Sequence, residues 1–144
     1  MSLQIFVPQD TTALALGAEK VASALIQGAQ KLGLDLEITR NGSRGMFWLE
    51  PLMEVETEIG RIGFGPVNTA NVESILSVLN ADSAETSAME HPLYLGEVSD
   101  IEYLSKQQRL TFKRSGIADP TCIESYQHQD CLLYTSDAAD DSLR

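Results

Sequence analysis

The feature that most constrains this chain is a helical stripe set between two strand-like runs. Ala18, Val21, Ala22, Leu25, Ala29 and Leu32 recur at three- and four-residue steps, the 3.6-residue period of a helix with one apolar face. Before it, LQIFVP (Leu3 to Pro8) places Ile5 and Val7 on one side of a short strand. After it, LDLEITR (Leu34 to Arg40) alternates, with Leu34, Leu36 and Ile38 on one side. A strand, a crossover helix and a second strand make a βαβ unit, whose strands run parallel and whose crossover is right-handed. Asp10 or Thr11 is expected to cap the helix, and Gly33 to end it at C′. Gly17 and Gly28 weaken it by about 1 kcal/mol each relative to Ala, while permitting close packing on a sheet.

The next block changes period. After NGSRGMFWLEP, the runs LMEVET and RIGFG flank a turn around Ile59-Gly60 and predict a β-hairpin. Glu54, Glu56 and Glu58 alternate there, the pattern of a solvated strand face. PVNTANVESILSVLN predicts a second helix capped by Asn68 or Thr69, with Val72, Ile75, Leu76 and Leu79 facing inward. The order through residue 80 is therefore βαβ–ββα, a thioredoxin-like arrangement of the α/β class. Residues 81–98, rich in small and polar side chains, read as a linker. Residues 99–130 open with Ser99-Asp-Ile-Glu102, a capping box for a short helix. An extended connector, a Gly116 turn and a brief helix from Asp119-Pro120 are expected to follow.

Composition narrows the chemistry. The chain has 144 residues, enough for one compact domain, with 43% hydrophobic residues and a formal charge of −11. An acidic surface repels phosphate backbones, which argues against nucleic-acid binding. GSRG (Gly42 to Gly45) has the form of a KH clamp, but it lies between strands rather than helices. Gly60-x-x-Gly63-x-Gly65 lacks dinucleotide-loop spacing and reads as a hairpin turn. Two cysteines, Cys122 and Cys131, make neither a disulfide framework nor a four-thiolate metal site. His91 and His128 are expected at the surface or in a linker. No apolar run approaches the ~18–20 residues of a membrane span, and no basic leader opens the chain, so the cytoplasm is the expected compartment.

The first ~80 residues resemble the thioredoxin-like ferredoxin domain found beside, or fused to, flavoprotein subunits of NADH dehydrogenases. In that family a C-x4-C pair and a later C-x3-C pair, the second in a C-x-G-x-C-x-x-x-P context, bind a [2Fe–2S] cluster. Gly45 and Pro51 match the glycine and proline of the later motif, whereas Ser43 and Phe47 stand at its cysteine positions. The upstream pair falls near Pro8 and Ala13. None of these four side chains is a thiolate, so the resemblance implies a domain that has lost its cluster ligands. Phe47 and Trp48 are expected either to fill the vacated space or to belong to an ordinary apolar loop.

HPLYLGEVSDIEYLSKQQRLTFKRSGIADPTCIESY resembles the segment leading into the flavin domain of the same superfamily, through RLTF, a glycine, DP and ESY. With NGSRGMFWLEPL, it points to the beta subunits of cytosolic NAD-dependent formate dehydrogenases. That resemblance implies that the intact subunit binds FMN, NAD and a [4Fe–4S] cluster at sites beyond Asp130. It also implies catalytic alpha and small gamma subunits as partners. This chain would then be a truncated N-terminal portion, not catalytic by itself, with Arg44, Phe47 and Trp48 as candidate partner contacts. A stand-alone thioredoxin-like ferredoxin relative, acting as a binding or electron-carrier protein, is the alternative. The last stretch, CLLYTSDAADDSLR (residues 131–144), resembles the in-frame translation of a transposase-type sequencing adapter. Without its three aspartates and one arginine, the charge moves from −11 to −9 and stays acidic.

Overall fold

A computed structural model describes residues 2–58, 60–81 and 84–128; residues 131–144 and Asp130 lie outside this range. Five strands form one sheet: β1 (Leu3–Phe6), β2 (Leu36–Thr39), β3 (Met53–Thr57), β4 (Gly60–Phe64) and β5 (Tyr94–Glu97). Their order is β2-β1-β3-β4-β5. β1 and β2 run parallel with Leu3 opposite Leu36 and Ile5 opposite Ile38, while β3, β4 and β5 join antiparallel. The chain is thus mixed α/β. The βαβ unit and the hairpin stand as the alternation of LDLEITR and LMEVET requires.

The single helix expected from Asp10 or Thr11 forms as two, and the stripe from Ala18 to Leu32 lies wholly in the second. Asp10 caps α1 (Thr11–Ala15) by accepting hydrogen bonds from the Thr12 and Ala13 amides. Gly17 then takes φ +102°, and α2 (Ala18–Leu32) begins. That left-handed conformation is open to glycine and costly for other residues, so Gly17 sets the break. Gly33, also left-handed at φ +68°, terminates α2. Gly28 packs against α3 (Val72–Leu79) rather than the sheet: a Cβ there would lie 2.6 Å from Leu76 Cδ1. The N-cap of α3 is Asn71, beyond the expected Asn68 or Thr69, because a turn joins Asn68 to Asn71 before the helix begins. In it Asn71 Oδ1 accepts from the Asn68 amide and Asn68 Oδ1 accepts from the Ala70 amide.

Ile5, Val55, Ile62 and Phe64 share one side of the sheet and pack against Val21 and Leu25 of α2 and Ile75 and Leu76 of α3. The stretch 81–98 does not behave as a linker. It forms α4 (Ala84–Met89), whose Ala88 is buried in this core, and then β5, which pairs along β4. A sequence of small polar residues hides this, since one buried alanine and a four-residue strand leave almost no periodic signal.

The opposite side carries a smaller cluster of Met46, Leu52, Val98 and Leu104. Leu104 comes from α5 (Glu102–Ser105), which starts without a capping box: Ser99 Oγ donates to Glu97 instead, and Ile101 occupies the cap. Gly63 and Gly65 are not turn residues. A Cβ on Gly63 would lie 3.1 Å from Val98 Cγ2, and one on Gly65 would lie 2.7 Å from the Leu49 carbonyl, so both admit close neighbours. The Glu50–Pro51 and Gly65–Pro66 peptides are cis. The segment after α5 crosses this second side in turns and ends in α6 (Ile123–His128).

Candidate functional site

Beside its small hydrophobic cluster, the second side of the sheet holds a charged lane. Register fixes it: Phe6 lies opposite Glu54, Glu54 opposite Gly63, and Glu56 opposite Arg61. β3 lies between β1 and β4, so a carboxylate at position 54 is flanked by backbone on both edges. Glu54 is only 1% exposed, the reverse of a solvated strand face. A buried carboxylate of this kind is tolerated only when paired, and Arg44 pairs it in a fork. Arg44 Nε donates to Glu54 Oε1 at 2.8 Å and Nη2 to Oε2 at 2.6 Å. Arg61 Nη1 stands 3.5 Å from Glu54 Oε2, its Nε donates to Glu56 at 3.0 Å, and its guanidinium carbon sits 3.5 Å from the centre of the Phe6 ring. Arg44 and Arg61 therefore both face Glu54 Oε2 and balance the two carboxylates of the lane.

The loop between β2 and β3 positions Arg44. Ser43 Oγ accepts from the Gly45 amide and donates to Glu50 at 2.8 Å, and Glu50 also accepts from the Leu52 amide at 2.9 Å. Burial raises the Glu50 carboxyl above its ordinary pKa; these two hydrogen bonds act against that shift, while the nearby Asp10 and Glu54 charges add to it. Asn41, 1% exposed, donates through Nδ2 to the Gly116 carbonyl at 2.7 Å. Arg61 donates to the same carbonyl at 3.3 Å.

The positions matched to cluster ligands share one end of the sheet. The Gln9 amide donates to the Asn41 carbonyl at 2.9 Å, and Arg40 Nη2 donates to the Pro8 carbonyl at 3.4 Å, so the loop after β1 lies against the loop after β2. Pro8 and Ala13 are buried, Ser43 is held by Glu50, and Phe47 points outward at 55% exposure. Three of the four side chains carry no donor atom and the fourth is already engaged, so this set does not fit a [2Fe–2S] cluster. Nor do the aromatics fill that end: Met46, not Phe47, enters the second cluster. Trp48, 60% exposed, meets Tyr103 edge-on with ring centres 5.1 Å apart. Of the three candidate partner contacts, Phe47 and Trp48 are outward-facing, whereas Arg44 is turned inward to Glu54.

The chemistry of this lane is holding rather than reacting, because both Glu54 oxygens are occupied by a guanidinium that stays charged. A Ser–His pair lies elsewhere, with Ser74 Oγ 3.1 Å from His91 Nε2. It is wired for structure. His91 Nδ1 accepts from the Leu93 amide, which leaves Nε2 as the donor in the neutral ring, and Ser74 Oγ donates to the Asn71 carbonyl. A serine that already donates to a carbonyl, beside a nitrogen that carries its own proton, has no base to activate it. Among the described residues no group of three His, Cys, Asp or Glu is placed to hold a metal ion, and no helix is long and apolar enough to cross a membrane.

Sequence reading missed Glu54, Arg61, Asn41 and Gly116 as members of one site. No local pattern joins them, because it is strand register that sets Glu54 between Phe6 and Gly63 and Glu56 opposite Arg61. A scan against protein-family models and a search of curated proteins returned no match to this chain.

Proposed function

We propose that this chain is the N-terminal part of the beta (flavoprotein) subunit of a cytosolic NAD-dependent formate dehydrogenase, and that it serves there as a structural and docking module. Its domain would be a thioredoxin-like ferredoxin domain without a cluster. The observation that carries this reading is the strand order β2-β1-β3-β4, with β1 and β2 parallel and β3 and β4 antiparallel. This is the arrangement expected of a βαβ–ββα domain. The loops that would hold a cluster meet at one end of that sheet, and the residues there are Pro8, Ala13, Ser43 and Phe47. The motif resemblance of NGSRGMFWLEPL and of RLTF through ESY adds the link to the flavoprotein. FMN, NAD and a [4Fe–4S] cluster would belong to residues beyond Asp130, and the alpha and gamma subunits would be the partners. Outward-facing Phe47 and Trp48 supply an aromatic surface of the kind enriched at interfaces.

Reading the native DNA past the codon for Asp130 tests the proposal. A frame continuing into a glycine-rich flavin loop and later cysteines is the expected result. A stop codon at that point would remove the flavoprotein assignment and leave an independent binding protein. Iron and labile-sulfide analysis separates the electron-carrier alternative, which requires a bound cluster.

A further inference from the structure

Residues 109–121 are fastened to the body in an unusual way. They pair with no strand, and their amides bond locally: Ser115 to the Phe112 carbonyl, Ile117 and Ala118 to the Arg114 carbonyl, Thr121 to Asp119 Oδ1, and Asp119 to Ser125 Oγ of α6. Ala118 is their one buried hydrophobic side chain, while Leu110 and Phe112 face solvent at 79% and 64% exposure. Attachment comes instead from hydrogen bonds between this segment and the sheet layer with its loops. Asn41 and Arg61 converge on the Gly116 carbonyl, Gln9 Nε2 donates to Asp119 Oδ1 at 2.9 Å, and Arg109 Nη2 donates to the Arg44 carbonyl at 3.0 Å. At the centre Gly116 lies on the Arg44 side chain with φ +81°, and a Cβ there would meet Arg44 Cδ at 2.3 Å. Both the backbone angle and the space select glycine.

We propose that residues 109–121 form a latch over the Arg44–Glu54 pair, with Gly116 as its seat, and that this latch opens as a unit while the sheet stays folded. The asymmetry of attachment is the reason. Polar contacts are largely replaced by water contacts on opening, so little net free energy resists release, whereas the sheet is held by buried apolar surface. Segments with few buried apolar contacts open separately from the core. Opening uncovers the Asn41 amide and the Arg61 guanidinium, two donors aimed at one carbonyl oxygen.

Native-state hydrogen exchange on the full chain tests the latch. Amides of Ser115, Ile117 and Ala118 are expected to exchange about 100-fold or more faster than amides of β3, with little dependence on added denaturant. Gly116→Ala is expected to speed the latch amides by about tenfold further and leave β3 unchanged. If latch and β3 amides in the native sequence share one rate and one denaturant slope, the segment opens only with global unfolding and the latch is refuted. A Gly116→Ala variant that accelerates β3 by the same factor as the latch overturns it equally.

Discussion

Glu54 shows how one residue can reverse its apparent role. Its spacing with Glu56 and Glu58 is that of a surface strand, but position 54 is covered by its neighbours and locked to Arg44. Removing one partner of a buried pair strands the other charge, which costs more than the pair contributes. Arg44→Ala is therefore expected to lower stability by about 3 kcal/mol, the lower end of the usual range because Arg61 still faces Glu54. Replacing both residues, Arg44→Met with Glu54→Met, should restore most of that loss, since no buried charge remains. Urea unfolding of the two variants decides the matter. A single variant as stable as the parent would show that the pair is hydrated in solution.

At the scale of elements, the two long helices meet through a missing side chain. Gly28 of α2 lets Leu76 of α3 approach to a distance that a methyl group would fill. Alanine at position 28 would gain about 1 kcal/mol in helix propensity. Leu76 is fully buried, however, so it has little freedom to withdraw, and overpacking a filled core costs about 1–3 kcal/mol. Gly28→Ala is thus expected to destabilise the protein by about 1 kcal/mol net, read as a lower midpoint in thermal or urea unfolding. A stabilising effect would mean that the α2–α3 contact relaxes freely. Gly17 plays a different part, as a backbone break that lets α1 be capped by Asp10 while α2 aligns its own apolar face on the sheet.

For the whole molecule, the sheet does not end with the hairpin. β5 covers the outer edge of β4, and Val98 and Leu104 close the second cluster over Met46 and Leu52. A fragment of residues 1–80 would expose β4 as an unpaired edge, a template for association. It would also uncover Phe64, which Tyr94 and His91 now meet edge-on. That fragment is expected to lose a single cooperative unfolding transition and to scatter light with rising concentration. A monomeric fragment with a sharp transition and a dispersed amide spectrum would make 81–104 dispensable. The latch belongs to the same scale, because it joins loops after β1 and β2 to a segment 75 to 110 residues later in the chain.

The sequence by itself determined the elements whose signal is local. The 3.6-residue stripe of α2, the alternation of β2, the hairpin strands, a cap at Asp10 or Thr11 and the Gly33 stop each follow from neighbours a few residues apart. Their order in turn limits the sheet to a parallel pair joined to an antiparallel hairpin. Tertiary structure alone decided the rest. A four-residue β5 has too little pattern to be recognised before β4 offers it an edge. Neither Asn68 nor Thr69 became the cap of α3, because the turn that ties Asn68 to Asn71 moves the helix start to Asn71. Asn41, Arg44, Glu54 and Arg61 fall within residues 41–61 while Gly116 is remote, and no local periodicity joins the five. What unites them is strand register, which places a charge on one side of the sheet, and burial, which then obliges every group near it to find a partner.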